Sequence, residues 1–453
     1  MGQTTMGDEV DNAARPPAQK RLGPILLSPG WGTKQVVAFL FVICISQSMN
    51  EFANVMTPLV LGQQLHLPKE NQGSLVGMLG ATQQFGTLLC ILAAGALADM
   101  FGRRVLLLYT LTGYFICLLT YPFLSSVFSL FLLRFAWGVF FTGYNAGAPT
   151  LSMDIPDNNS RGKFNSLVLL APLLVASAFV LGASRLPALF RDLFSDPQLA
   201  LTWTFGLVSI IPLIGAASTI LFFKEPERRS PGEGGFFQRM GTIFSNIRSV
   251  LAYAGKNKKF GVMLFIGSVV RTDTLIIGSF LGLWVVNAAR EGGIDAIEAT
   301  KTAGLLASIR FGMKILGSPL FGFINDKVNR VALMLTALGM MTLAFAFFGL
   351  ITDVFGVWMI VAVVLIGFSE SAEALASQTL LAQEAPPELR GSSVGVFTFL
   401  GTISLLLVNL LGGYLFDKLG YSAPFMMEAV LHLMVLVIAV IILRKGAAPA
   451  QTR

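Results

Sequence analysis

The sequence predicts an all-α polytopic membrane protein, with 12 transmembrane helices in two pseudo-symmetric six-helix bundles. Three observations predict it. Charged residues make up only 13% of 453, against about 25% in soluble domains, while the AVILMFWYC set makes up 54%. Twelve apolar stretches reach the roughly 20 residues that a spanning helix needs. Two loop motifs recur at a shift of nearly half the chain. Such a composition calls for lipid as the main solvent, which excludes a soluble enzyme, a nucleic-acid module and a disordered scaffold.

The elements follow in order. Residues 1–35 are polar, with Pro16, Pro17, Pro24 and Pro29, and lack a short apolar segment ending in a cleavage site; they read as a disordered cytoplasmic tail. Spans at about 36–60, 74–97, 104–124, 128–151, 165–184 and 201–223 make an N-terminal bundle over 36–223. Residues 224–259 form the longest connection. Within it Phe236, Phe237, Met240, Ile243, Phe244, Ile247, Val250 and Leu251 recur at helical spacing beside Arg239, Arg248 and Lys256. That pattern predicts an amphipathic helix on the inner leaflet. Spans at about 260–288, 301–324, 331–351, 356–380, 392–415 and 423–443 make a C-terminal bundle over 260–443, and 444–453 is a second tail. Barrel strands would be short and alternating instead.

Lys and Arg set the orientation. With the amino terminus inside, inner segments hold 22 of them and outer segments 6. Both termini are therefore expected in the cytoplasm of an inner or plasma membrane. This bias also accounts for the net charge of +7 without nucleic acid. Cys44, Cys90 and Cys117 lie in apolar runs with no paired spacing and read as buried thiols.

The first repeated motif runs Gly95-Ala-Leu-Ala-Asp99-Met-Phe-Gly102-Arg103-Arg104 after the second span and Gly322-Phe-Ile-Asn-Asp326-Lys-Val-Asn329-Arg330 after the eighth. Glycine permits the tight turn, Asp99 can face a helix amino terminus, and the arginines sit at headgroups. The second places Asp154-Ile-Pro156 before Arg161-Gly162, and Glu384-Ala-Pro386 before Arg390-Gly391. The segment from Gly95 to Arg104 resembles the signature loop of the major facilitator superfamily almost throughout; the second copy is degraded, with Asn329 in place of glycine. Arg134 and Gly138 partly resemble that family's second motif. The resemblance covers about residues 35–445 and implies two bundles rocking about a central substrate site, with the loop motifs as conformational latches. The Gly-Pro motif that many of its drug–proton antiporters carry in the fifth span is absent, since Leu169-Leu170-Ala171-Pro172-Leu173-Leu174 stands there.

A charge at the bilayer centre costs roughly 2.5–3.5 kcal/mol. Nine positions bear it: Glu51, Arg134, Arg271, Asp273, Arg310, Lys314, Glu370, Glu373 and Glu428. The family's cavity is lined by its first, fourth, seventh and tenth helices, where six of the nine fall. Arg271, Arg310, Lys314, Asn50, Gln83, Gln84 and Arg134 are the substrate candidates. For Arg310 and Lys314, one turn apart, both an internal carboxylate and an anionic substrate remain open as partners. Glu51, Asp273, Glu370 and Glu373 are proton-coupling candidates, because low dielectric favours the neutral form of a carboxyl group, and Glu370 and Glu373, three apart on one face, are expected to repel each other's charge as a pair. Glu428 with His432 reads as a structural pair one turn apart. Gly77, Gly80, Gly86, Gly312, Gly317 and Gly322 suit close helix contact.

These readings predict a secondary transporter of a small organic solute, an anion or zwitterion, working by alternating access with proton symport and functional as a monomer. Efflux of amphipathic compounds or lipid is the alternative, and a non-transporting membrane sensor is a weaker one. No enzyme is expected, nor a metal or cofactor beyond a proton gradient. His66 and His432 are the only histidines, and no nucleophile–base spacing occurs.

Overall fold

A computed structural model of the chain describes residues 20–226, 236–325, 327–386 and 389–445. In lipid every backbone polar group must be satisfied within the chain, so the apolar stretches become helices. The first bundle holds α1 (Thr33–Leu59), α2 (Gln72–Phe101), α3 (Arg103–Thr120), α4 (Val127–Asp154), α5 (Arg161–Ala183), the short α6 (Leu186–Phe194) and α7 (Pro197–Phe222). Helix α8 (Phe236–Lys256) lies in the connection. The second bundle holds α9 (Lys258–Val270), α10 (Thr272–Ile276), α11 (Gly282–Glu291), α12 (Ala296–Asn325), α13 (Arg330–Gly349), α14 (Val357–Glu384), α15 (Arg390–Leu419) and α16 (Ala423–Lys445).

Among the described residues, 11 helical segments are long and apolar enough to cross a membrane. The twelfth crossing is α12, as long as α2 and packed on α14 and α5. It falls short in hydropathy because Arg310 and Lys314 sit at its middle. An even number of crossings brings both ends of the described segment to one side, here the terminal face; the opposite side is the far face.

The seventh crossing is broken. It runs as α9, a break at Arg271, α10, a π-helical turn at Ile277–Leu281, and α11. Such interruptions free backbone groups and mark functional positions in membrane bundles.

Among the described residues, the polar contacts that join the bundles cluster in the far half. The Asp417 carboxylate, near the far end of α15, accepts from Gly73 N–H (2.8 Å) and Ser74 N–H (2.7 Å) at the start of α2. Arg191 reaches Asp295 (2.7 Å) and Glu298 (3.3 Å). The Ser177 and Ser308 hydroxyls donate to each other's carbonyls at 3.0 and 2.9 Å, joining α5 to α12. Side-chain bulk is minimal where α2 meets α15: a Cβ on Gly77 would strike the Asn409 carbonyl, and one on Gly80 the Asn409 side chain. Gly86 and Gly317 face Phe135 and Ser371 just as closely, whereas Gly312 and Gly322 meet only open space, contrary to the expectation of helix contact there.

Two segments depart from the sequence reading. Within the expected disordered tail, Arg21–Leu22 and Ile25–Leu26 pair as a small antiparallel hairpin of strands β1 and β2. It docks on the loop between α4 and α5: Leu26 N–H donates to Ser160 Oγ (2.9 Å), Ser28 Oγ–H to the Pro156 carbonyl (2.8 Å) and Asp157 N–H to the Leu26 carbonyl (3.0 Å). Ile25, Leu27 and Trp31 are buried there, and that apolar burial is the physical reason for order. Helix α8 is also more than an interfacial element. Its Val250, with Ile247, Tyr253 and Ala254, packs on Phe260, Leu381 and Val396 of the second bundle, while Phe244 and Leu251 stay exposed.

Candidate functional site

Three polar groupings lie inside the protein. In the first bundle, Arg134 of α4 is buried in the far half. It donates to Gln83 Oε1 (3.0 Å), the Ala53 carbonyl (3.3 Å) and the Thr57 hydroxyl. Gln83 in turn donates to Asn50 Oδ1 (3.3 Å). No carboxylate pairs with Arg134 among the described residues, so its partners are all neutral. It lines a narrow cleft with Asn54, Gly80, Leu275 and Ser279, where the two bundles meet. Gln84 is buried next to Gln83 along α2.

The second grouping spans the bundle interface. Glu370 of α14 faces Arg310 Nε (3.7 Å) and Lys314 Nζ (3.5 Å) of α12, and accepts from the Thr274 hydroxyl (3.3 Å). Glu51 of α1 accepts from Gln47 Nε2 (2.9 Å) and lies within electrostatic reach of Arg310, Lys314 and Glu370. A Cβ built on Gly278, in the π-helical turn, would come 3.8 Å from Glu51 Oε2 and 3.2 Å from Asn54 Nδ2. The broken seventh crossing thus brings backbone close to α1 at the depth of the charges. Two carboxylates and two cations face one another here, contributed by both bundles.

The third grouping lies within the second bundle. His432 of α16 approaches Asp273 Oδ1 (3.1 Å) and Glu373 Oε1 (3.3 Å) through Nε2, and Glu428 Oε2 (3.6 Å) through Nδ1. Glu370 and Glu373, one turn apart, therefore serve different groupings, and the expected mutual repulsion on one face is replaced by separate partners. Asp273 turns to His432 and not to Arg310 or Lys314. Arg271, before the break, turns toward α15 at Gly401 and forms no ion pair among the described residues.

The loop motifs lie at the terminal face. Arg103 pairs with Asp154, linking the two repeated motifs of the first bundle. Arg104 N–H donates to the Glu225 carboxylate and its guanidinium to the Ile220 carbonyl (2.5 Å), tying the α2–α3 turn to the end of α7. Gly102 sits at φ 89°, ψ 157°, a conformation that only glycine adopts readily. In the second bundle Arg330 donates to Gln383 Oε1 (3.2 Å), and Asn329 caps α13 through Val331 N–H (2.9 Å). That cap explains why asparagine serves where the first copy has glycine. Arg161 is exposed at the start of α5 and Glu384 half-buried at the end of α14. Asp326 lies outside the described residues, as do the side-chain surroundings of Gly95, Asp99 and Arg390.

The sequence profile described as "Major Facilitator Superfamily" matches residues 39–297 and 293–453. The chain belongs to the Major Facilitator Superfamily. Among solved structures of this superfamily fold, a point mutant of the nucleoside transporter NupG superposes with a TM-score of 0.67 at 13% identity, covering 89% of this chain and 99% of that one. Magnetosome protein MamH of Paramagnetospirillum magneticum is 28% identical over 177 residues, 39% of this chain and 41% of MamH. Multidrug resistance protein MdtG of Dickeya zeae is 29% identical over 182 residues, 39% of this chain and 42% of MdtG. The match thus spans about two-fifths of the length of these curated superfamily relatives.

The sequence reading took Glu428 and His432 as an isolated pair and missed them as members of a larger grouping. The available signal was a lone histidine in a span otherwise almost free of polar residues.

Proposed function

We propose that this superfamily member is a secondary transporter of a small organic anion or zwitterion, driven by proton symport and working by alternating access as a monomer. The observation that carries the proposal is the interface grouping of Glu51 with Glu370, Arg310 and Lys314. As placed, its charges balance, so an anion has no free cation to bind. Protons on the two carboxylates would release Arg310 and Lys314 to a substrate carboxylate, which couples proton and anion in the same direction. Arg134, without a carboxylate partner among the described residues, adds a second positive pole on the far side. The positive-inside bias supports a cytoplasmic terminal face, and the far-half contacts among the described residues support an inward-facing reading.

Export of amphipathic compounds is the second reading, favoured by the partial likeness to MdtG. A thermal-shift screen of carboxylate and amphipathic ligands separates the two, because a ligand of the folded state raises its stability. Stabilisation by carboxylates that is lost in Arg310→Gln is expected. Stabilisation by amphipathic cations alone would overturn the anion assignment.

A further inference from the structure

The third polar grouping has a charge problem that the transport reading does not use. Asp273, Glu373, Glu428 and His432 are at most 2% exposed. With His432 protonated only one of the three carboxylates is balanced, and the other two must be neutralised by protons or by a bound cation. The nearest intramembrane cations are engaged elsewhere, Arg310 and Lys314 at Glu370 and Arg271 toward α15. The Thr272 hydroxyl donates to Glu428 Oε2 (3.0 Å). Among the described residues, Asp273 Oδ1, both Glu373 oxygens, Glu428 Oε1 and His432 Nε2 lack a well-aligned hydrogen bond. Buried polar atoms left in this condition are costly and rare in folded proteins.

The geometry points to a binding site for one divalent transition-metal cation, held by His432 Nε2, Asp273 and Glu373, with Glu428 as a further ligand or support. His432 Nδ1–H donates to the Glu428 carbonyl at 2.8 Å, so Nε2, on the carboxylate side of the ring, is the nitrogen left to bind an ion in place of a proton. With no ion, Nε2 would need a proton to face two carboxylate oxygens at 3.1 and 3.3 Å. Nitrogen and oxygen ligands about 2.0–2.2 Å from a common ion stand about 2.9–3.5 Å from each other, and these separations fall in that range. Ligand atoms of Asp273, Glu428 and His432 all lie within 4.8 Å of one another. The mixed imidazole and carboxylate set suits Zn²⁺ or Mn²⁺ more than Ca²⁺ or Mg²⁺. Such an ion would join the broken seventh crossing to α14 and α16. Its burial suits a resident ion rather than a passing cargo. The sequence alone led to the opposite expectation, since its ligands come from three distant segments.

The test uses the full chain in detergent, stripped with chelator, and Zn²⁺ and Mn²⁺ as probes; it needs no transport readout and stands or falls apart from the transport proposal. One equivalent of Zn²⁺ retained after desalting, with a rise in Tm, is expected. Asp273→Asn, Glu373→Gln and His432→Gln should each weaken binding at least tenfold, while Glu51→Gln and His66→Ala keep it. If those variants fail to fold, spin-echo spectroscopy of Mn²⁺ in the unaltered protein and in His66→Ala should still reveal one imidazole nitrogen at the ion. No bound equivalent, binding unaffected by the three substitutions, or Mn²⁺ without that nitrogen would overturn the site.

Discussion

Replacing Asp417 by alanine should open the far face. Its carboxylate accepts two backbone N–H groups at 2.8 and 2.7 Å across the bundle interface, at the positive end of the α2 dipole. Hydrogen bonds to a charged group contribute about 1.5–3 kcal/mol each when well buried. Asp417 is half-buried, and water can replace it at the freed N–H groups, so about 1–3 kcal/mol in total is the reasonable loss. These contacts exist only while α2 and α15 touch, so the loss falls on the closed state alone. The ratio of far-open to far-closed molecules should then rise about 5–150-fold. Spin labels at Phe123 and Leu419, both exposed on the far side of opposite bundles, report the change by pulsed dipolar spectroscopy. The Asp417→Ala distribution should gain a longer-distance population. Asp353→Ala removes a bond within a single bundle, Phe355 N–H to Asp353 at 2.9 Å, and should leave the distribution as it was. An unchanged distribution in Asp417→Ala, or an equal change in both variants, would refute the reasoning.

Other perturbations probe separate parts of the account. Gly102→Ala forces a side chain into a glycine-only conformation and should destabilise the α2–α3 turn by about 1–3 kcal/mol, read as a lower Tm. A double-mutant cycle on Arg103 and Asp154 should give a coupling of about 1 kcal/mol or less, because Asp154 is 45% exposed; additive losses would mean that the pair does not form. Glu370→Gln leaves Arg310 and Lys314 without their shared partner and should lower stability by about 3–5 kcal/mol, with partial rescue by Arg310→Gln in the double variant.

Much of the fold was legible in composition, because a span needs only length and hydropathy to be recognised. The loop motifs exposed the internal repeat for a similar reason, since their glycines, carboxylates and arginines sit in short connections where spacing is kept between the two copies within one chain. What the sequence could not show was helix rotation. These spans are apolar on nearly every side, so no moment indicates which face of α14 meets which neighbour. Glu370 and Glu373 consequently looked like one pair, whereas one faces α12 and the other α16. The break at Arg271 was equally hidden, as nothing local in Arg271-Thr-Asp273 interrupts a helix. The β1–β2 hairpin escaped because its strands are two residues each; its available trace was Ile25-Leu-Leu27 between Gly23-Pro24 and Pro29-Gly30.

The central claim is that protonation of the interface carboxylates admits an anion to Arg310 and Lys314. Its most direct test is uptake in proteoliposomes of whichever carboxylate stabilises the protein, with an imposed pH gradient. The account predicts accumulation that a protonophore abolishes and that Glu51→Gln or Glu370→Gln uncouples from the gradient. Accumulation indifferent to protonophore, with both variants fully active and still coupled, would contradict it.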